Sequence, residues 1–222
     1  MASLRLLNAH DEVGNIRTFV FENTSEQWSP GQYQRYALDT VDGDEGARTR
    51  YFTIAAAPSE GVVKITTRVS RSAFKQALNG LRPGDRIDVL ELGGDFIWDG
   101  DDPVVLVAAG IGVTPYRSFL AQRAAAGRRI PAHLLYFGRD DNFAFRSEFG
   151  TIGAEHPELT IDYIVGEPVN ADTILAKAPE SGTRPVYLSG PEAMVDTVGE
   201  ELTRRGIAVK QDWFPGYDEK DY

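Results

Sequence analysis

The chain has 222 residues, and its 23 lysines and arginines against 33 aspartates and glutamates give a formal net charge of −10. Such an acidic chain argues against a general nucleic-acid or anionic-membrane binder, because both partners require a basic surface. The hydrophobic fraction of 42% and the charged fraction of 25% are typical of a folded globular protein. The absence of cysteine excludes disulfides, thiolate metal sites and cysteine-ligated iron–sulfur clusters on this polypeptide.

The sequence contains no pattern typical of a targeting or membrane segment. Its longest apolar run, Val104–Thr114, includes two glycines and is too short to span a bilayer. The three histidines, His10, His133 and His156, have no ligand spacing, so no metal site is expected. We expect a soluble cytoplasmic protein without membrane insertion.

The first hundred residues predict short strands separated by turns. Alternation and β-type composition favour six of them, which indicates a small antiparallel barrel over residues 1–100. One helix follows Ser72, a residue suited to cap it. The predicted strands are Leu4–Leu7, Ile16–Phe21, Tyr33–Leu38, Arg50–Ala56, Val62–Val69 and Ile87–Leu92.

Residues 101–222 alternate strands with helices. The continuous apolar run Val104–Ala108 is typical of a strand buried on both faces. Five strands in alternation with helices predict a doubly wound α/β domain with a parallel sheet. The later strands are His133–Phe137, Leu159–Val165, Val186–Ser189 and Ile207–Lys210, and the helices are Thr114–Ala126, Arg146–Glu155, Ala171–Ala176 and Pro191–Arg204.

The first candidate site begins at Arg50. On a strand, Arg50 and Phe52 point to one side, and Tyr51 and Thr53 to the other. An arginine and an aromatic ring on one face can hold a phosphate and stack on a planar ring. The alternative is an ordinary edge strand whose arginine lies over apolar surface.

The second candidate site lies where a strand runs into a helix. Thr67 and Arg68 end the strand, and Ser72 and Lys75 lie at the helix start. Free amides of a helix N-terminus, its dipole and nearby cations together suit a pyrophosphate. The alternative is a surface helix that Ser72 merely caps.

The third candidate site is the glycine turn after the first parallel strand. Gly110 and Gly112 allow close approach of a ligand phosphate to the backbone. Thr114 is predicted to cap the next helix, with Pro115 as its first residue. A lone G-x-G is a weak indication of a binding site. Its place between a buried strand and a helix nevertheless favours a ligand-binding turn over a plain turn.

The fourth candidate site is Ser189-Gly190-Pro191, after the fourth parallel strand. Open α/β sheets bind ligands at the carboxyl ends of strands, where the strand order reverses. With the order 3-2-1-4-5, the first and fourth strands flank that point. The alternative is a tight turn into the next helix.

In this order, the motifs resemble the ferredoxin–NADP reductase-like flavoproteins over nearly the whole chain. The resemblance implies a six-stranded flavin-binding barrel followed by a five-stranded pyridine-nucleotide domain. It also implies hydride transfer between NAD(P)H and FAD, or occasionally FMN, coupled to one-electron exchange with a partner. The matching segments are Arg50-x-Phe52-Thr53, Gly110-x-Gly112-x-Thr114-Pro115 and Ser189-Gly190-Pro191-x-x-Met194.

The resemblance also implies roles for single residues. Thr53 would hydrogen-bond near flavin N5, and Ser189 would lie at the reacting nicotinamide. Around the flavin it implies Arg50 at a phosphate, Tyr51 and Phe52 at the ring, and Thr67, Arg68, Ser72, Ala73, Phe74 and Lys75 along the strand and helix start that hold the pyrophosphate. Around the nucleotide it implies Gly110, Gly112, Thr114 and Pro115 at the turn, and Gly190 and Pro191 at the nicotinamide.

Two residues depart from the family pattern. Phe52 stands where the family commonly has tyrosine. Phenylalanine retains stacking but lacks the hydroxyl donor. Ser189 replaces a cysteine that helps to place the nicotinamide, and serine is smaller and less polarisable. In the C-terminal tail, Phe214 is the first choice for the aromatic that meets the flavin, with Tyr217 or Tyr222 as weaker choices. The alternative is a tail that packs over a core edge.

The absence of cysteine bears on the identity of the electron acceptor. Because this chain holds no cluster of its own, we expect a separate ferredoxin, flavodoxin or oxygenase component. Residues 48–86 carry eight cations against Glu60 and Asp85, so this segment could steer an acidic partner. The alternatives are a reductase of free flavin or a small acceptor, and a non-catalytic flavin- or nucleotide-binding regulatory module.

The nucleotide preference depends on charges after the second parallel strand. Arg139 and Arg146 favour NADPH over NADH, although Asp140 and Asp141 oppose a 2′-phosphate there.

Overall fold

The structure, a computed structural model, describes residues 2–23, 27–41 and 45–213. The described residues form a six-stranded antiparallel sheet followed by a five-stranded parallel sheet. The fold class predicted from the sequence is therefore confirmed. In the described part of the chain, no helix has the length and apolarity needed to cross a membrane.

The antiparallel sheet curls into a barrel. Its strand order is β4-β3-β6-β1-β2-β5, and the Ala55 amide donates to the Lys64 carbonyl at 2.9 Å, which joins the chain after β4 to β5. The strands are β1 (Ala2–Val13), β2 (Ile16–Glu22), β3 (Tyr33–Ala37), β4 (Thr49–Thr53), β5 (Val62–Arg68) and β6 (Arg86–Gly93), with helices α1 (Glu45–Arg48) and α2 (Ala73–Gly80).

The barrel core explains how α2 is held. Phe19, Phe21 and Ile65 fill the interior, since alternate residues of a strand share one face. Phe74 and Leu78 bury one side of α2 against this core. The predicted cap is confirmed, because the Ser72 hydroxyl accepts from the Lys75 amide at 3.3 Å.

The parallel sheet has the order β9-β8-β7-β10-β11, which is the expected 3-2-1-4-5. Helices α3 and α4 pack on one face and α5 and α6 on the other. The strands are β7 (Val104–Ala109), β8 (Ala132–Gly138), β9 (Thr160–Val165), β10 (Val186–Ser189) and β11 (Val209–Asp212), and the helices are α3 (Thr114–Ala125), α4 (Arg146–Glu155), α5 (Ala171–Lys177) and α6 (Glu192–Arg204).

The start of α3 and the extent of β1 differ from the sequence prediction. Thr114 is the first helical residue of α3, with Val113 before it, and its hydroxyl donates backward to the Ile111 carbonyl at 3.2 Å. The glycine turn forms a 3₁₀ turn (Gly110–Val113) that runs directly into α3, so no extended capping residue precedes the helix. Strand β1 extends to Val13, well beyond the predicted Leu7, because its polar second half still pairs with β2.

Helix α3 docks the parallel sheet onto the barrel. The Arg117 side chain, 5% exposed, donates to the Ala55 carbonyl at 2.9 Å and to the Glu60 carboxylate at 3.0 Å, both in the barrel. Its Nε donates to Glu148 on α4 at 3.0 Å. The Ser118 hydroxyl adds a bond to the Ala56 carbonyl at 2.7 Å. Since α3 begins at the glycine turn, these contacts fix that turn relative to the barrel.

Candidate functional site

A cavity of about 670 Å³ lies between the barrel and the carboxyl ends of all five parallel strands. This is the edge at which open α/β sheets bind ligands, and the volume is that of a small-molecule site. Twelve of the residues singled out in the sequence line it: Tyr51, Phe52, Thr53, Thr67, Arg68, Gly110, Gly112, Thr114, Arg139, Ser189, Gly190 and Pro191.

On the barrel side, strand β4 presents a hydroxyl and an aromatic ring. Thr53 borders the cavity and is only 4% exposed. Tyr51 packs edge-to-face against Tyr33, with ring centroids 5.4 Å apart. Phe52 also borders the cavity, but its ring belongs to the barrel core, 5.9 Å from the ring of Phe74. The ring that β4 offers from outside the barrel is therefore that of Tyr51.

Of the predicted pyrophosphate residues, Thr67 and Arg68 line the cavity and the others do not. Arg50 and the segment Ser72–Lys75, all described, are outside its lining, as is Pro115. Arg50 donates to the Thr49 carbonyl at 2.8 Å. Because Phe52 contacts Phe74, the strand that carries Arg50 lies next to the start of α2. Arg50 thus lies on a strand that packs against α2, outside the lining of the cavity.

The glycine turn and β10 touch at the point where the strand order reverses. A Cβ on Gly112 would lie 2.4 Å from the Ser189 carbonyl oxygen, and one on Gly190 would lie 2.8 Å from the Ala109 Cβ. Both positions therefore require glycine. Gly110 has a φ of +56°, and a Cβ there would point at the Arg68 guanidinium, 3.6 Å away. The N-terminus of α3 and Arg68 thus face the same part of the cavity, which favours an anion.

A carboxyl group that the sequence reasoning missed lies beside Ser189. The Ser189 hydroxyl donates to Asp212 Oδ2 at 2.9 Å. Burial raises the pKa of Asp212 to about 7; Asp95 adds to this rise and the Ser189 bond opposes it. At neutral pH this carboxyl can both hold and release a proton. Its position at the end of β11 is the signal that could have revealed it, because every other parallel strand also ends at the cavity.

The far end of the cavity lies beyond β8 and β9. Arg139 and Asp140 follow β8, and Glu167 follows β9. Sequence reasoning missed this contribution of β9. Arg146 is outside the lining: it pairs with Asp141 at 2.6 Å and its guanidinium lies 4.5 Å from the ring centre of Tyr163.

The three aromatic residues predicted to meet the flavin belong to the C-terminal tail. Phe214, Tyr217 and Tyr222 lie outside the described residues, whose last member, Trp213, lines the cavity.

Comparison with known proteins agrees with this geometry. Residues 106–200 match the family model described as an oxidoreductase NAD-binding domain. A flavohemoprotein of Pseudomonas aeruginosa is 27% identical over 93% of this chain and 56% of its own length. The ferredoxin reductase component of 3-ketosteroid-9-alpha-monooxygenase from Mycolicibacterium smegmatis is 27% identical over 91% of this chain and 62% of that protein.

A solved structure shares the two-sheet fold. The flavohem-like FAD/NAD-binding domain of nitric oxide dioxygenase from Vibrio cholerae superposes with a TM-score of 0.77 at 18% identity, covering 96% of this chain and 98% of that one. The chain therefore shares this two-domain fold, and residues 106–200 are similar to an oxidoreductase NAD-binding domain. The chain spans about half the length of the flavohemoproteins that it matches.

Proposed function

We propose that this chain transfers hydride between NAD(P)H and an FAD held on the barrel, and passes single electrons to a separate protein. One observation carries the proposal: Thr53 of the barrel lines the same cavity as the Gly110–Gly112 turn and Ser189–Pro191. A flavin beside Thr53 and a nucleotide on the turn would therefore meet within one cavity.

The residues around the barrel fit FAD. The cofactor, when bound, supplies the redox chemistry, and the protein supplies binding, orientation and electrostatics. Tyr51 offers an aromatic face and Thr53 a hydroxyl for the flavin ring. Arg50 and the N-terminus of α2, with Ser72, offer a cationic guanidinium, amides and a hydroxyl for the two phosphates.

Four groups of the chain would support the reaction. The nearly buried Thr53 hydroxyl would donate a hydrogen bond to a flavin bound beside it, where negative charge would develop. The α3 contacts of Arg117 hold the turn at a fixed distance from the barrel, which favours a reactive alignment. Asp212 and Ser189 keep an exchangeable proton at the nicotinamide end of the cavity.

The acceptor is proposed to be a ferredoxin, a flavodoxin or an oxygenase component. Support comes from the matched proteins whose names describe reductase or electron transfer components of oxygenases. Four exposed arginines of segment 48–86 could attract an acidic partner: Arg48, Arg71, Arg82 and Arg86.

The test starts from purified protein mixed with FAD and freed of excess cofactor. We expect a stably yellow protein that oxidises NADH or NADPH when ferricyanide is present, and that reduces a ferredoxin faster than it reduces free flavin. Faster reduction of free flavin would replace the partner assignment with a flavin reductase. A protein that binds FAD without oxidising either nucleotide would contradict the proposal and indicate a regulatory module.

A further inference from the structure

We propose that the protein carries protons out of the cavity through a chain of side chains formed by Thr66, Thr18, Glu12 and His10. This inference rests on the proposed function, because the proton is the one that the proposed reaction releases. When NAD(P)H reduces one-electron acceptors, two acceptors are reduced, NAD(P)⁺ forms and one proton is set free. That proton must leave a cavity which flavin and nucleotide would fill.

These side chains lie on one face of the barrel sheet, across three strands. His10 of β1 is the register partner of Thr18 in β2, and Thr18 is the partner of Thr66 in β5. Side chains directly opposite each other on antiparallel strands lie on the same face and interact. The register therefore places one exposed imidazole and two hydroxyls in a row.

Hydrogen bonds connect the row from the cavity to the surface. The Oγ1 atoms of Thr66 and Thr18 are 2.7 Å apart, and the Thr18 hydroxyl donates to Glu12 Oε1 at 2.6 Å. The same Glu12 oxygen lies 3.2 Å from His10 Nε2. Thr66 lines the cavity, whereas the side chain of His10 is 52% exposed. The chain thus joins the cavity wall to solvent, and it shares no residue with the Ser189–Asp212 pair.

The carboxylate of Glu12 sets the direction of the hydroxyl bonds. An ionised carboxylate only accepts hydrogen bonds, and a threonine hydroxyl has a single proton to donate. Because Thr18 donates its proton to Glu12, the Thr18 oxygen accepts from Thr66, and Thr66 donates away from the cavity. A proton that reaches the Thr66 oxygen from the cavity therefore displaces the Thr66 proton to Thr18 and the Thr18 proton to Glu12. His10 then takes the proton from Glu12 and releases it to water.

The middle of the chain is buried where the barrel meets the parallel-sheet domain. Thr18 and Thr66 are 1% and 3% exposed. Ile16, two residues before Thr18 on β2, packs in the core of the parallel-sheet domain. Burial, with a smaller effect from the charge of Glu12, raises the pKa of Tyr136 in β8, so Glu12 lies near that domain as well. Contact between the domains therefore keeps the hydroxyls in order and shields them from water.

The cavity end of the chain lies close to Thr53. The Ala55 amide donates to the Lys64 carbonyl at 2.9 Å, so the end of β4 runs beside β5. Thr53 lies two residues before Ala55, and Thr66 lies two residues after Lys64. In antiparallel chains these positions oppose each other, and both residues line the cavity. A proton released beside Thr53 would therefore meet Thr66.

The experiment follows proton release from the FAD-loaded protein. The flavin is reduced photochemically without nucleotide and mixed with ferricyanide, while flavin absorbance and a pH-indicator dye in weak buffer are recorded together. We expect proton release to keep pace with flavin oxidation in the unaltered protein. It should be slower by about 10-fold or more in Thr18→Val and in Glu12→Gln. Thr18→Ser, which keeps the hydroxyl, should restore the rate.

The control is Glu22→Gln, which removes an exposed carboxylate that pairs with Arg5 at the end of β2 and should leave proton release unchanged. A second readout is the exchange of the Thr18 hydroxyl proton with water, measured by NMR on the oxidised protein with and without FAD. Glu12→Gln should slow this exchange by about 10-fold or more.

Unchanged proton release in Thr18→Val, or unchanged hydroxyl exchange in Glu12→Gln, would overturn the inference. Proton release that depends on the chain, in a protein whose flavin neither NADH nor NADPH reduces, would leave the inference standing and contradict the proposed function. The two failures are therefore distinguishable.

Discussion

Glu60 links the barrel to the parallel sheet, and its replacement by glutamine should destabilise the protein. Its carboxylate contacts Arg117 of α3, Lys64 of β5 and the Ala57 amide. Burial alone would raise the pKa of Glu60, but the bond and charge of Arg117, with the other two contacts, outweigh burial and hold the pKa at about 2.

The size of the effect follows from that pKa. Moving a carboxyl pKa from 4.5 to about 2 stabilises the folded state by about 3 kcal/mol at neutral pH. The side chain is 24% exposed, so solvent screens it only partly. Because the folded pKa is lowered, the contribution is present above pH 4.5 and is lost as the pH falls toward 2. At pH 3 about half of it should remain.

Urea unfolding at pH 7 and pH 3 checks this. Glu60→Gln should lose about 3 kcal/mol at pH 7 and about half as much at pH 3. The matched control is Asp141→Asn, which breaks an exposed ion pair with Arg146 and should cost less than about 1 kcal/mol. A Glu60→Gln protein with the stability of the unaltered chain, or with a loss that does not depend on pH, would refute the reasoning.

Three further predictions concern the cavity and the proposed FAD phosphate site. Gly112→Ala should lower the free energy of unfolding, measured in urea, by about 2 kcal/mol or more, because the new Cβ would meet the Ser189 carbonyl. The control Gly153→Ala, whose Cβ would lie in open space, should not lower it. Equal effects of the two substitutions would contradict this. Arg50→Ala should lose about 10- to 100-fold in FAD affinity, seen as colourless protein after gel filtration, and a fully yellow variant would remove the phosphate role. The Tm of Asp212→Asn minus that of the unaltered protein should be higher at pH 8 than at pH 5 by about 2–4 °C or more. The reason is that the raised pKa of Asp212 makes the stability of the unaltered protein fall as the pH rises toward 7. The same Tm difference at both pH values would contradict this.

The sequence predicts regular elements well where apolar continuity defines them. The bounds Val186–Ser189 and Arg146–Glu155 agree with the structure, and so does the strand order. The start of α3 was predicted wrongly because a threonine before a proline is typical of a cap, whereas here the glycine turn is itself helical.

Contacts between residues far apart in the sequence limit how much of the site can be predicted from the sequence. Periodicity does not reveal that Arg117, on a helix, is buried between two carboxylates, since an arginine alone predicts a surface position. In the same way, a sequence shows that Asp212 and Glu167 follow strands but not that those strand ends meet one cavity with the barrel. The motif residues could be named because glycine, proline and hydroxyl residues have local signatures.

The most direct test of the central claim is anaerobic stopped-flow mixing of the FAD-loaded protein with excess NADH or NADPH, followed by the loss of oxidised-flavin absorbance. We expect full reduction of the unaltered protein, and reduction about 10- to 100-fold slower in Thr53→Ala, which should still bind FAD. FAD that stays oxidised with both nucleotides would contradict hydride transfer in this cavity, and an unchanged rate in Thr53→Ala would remove Thr53 from it.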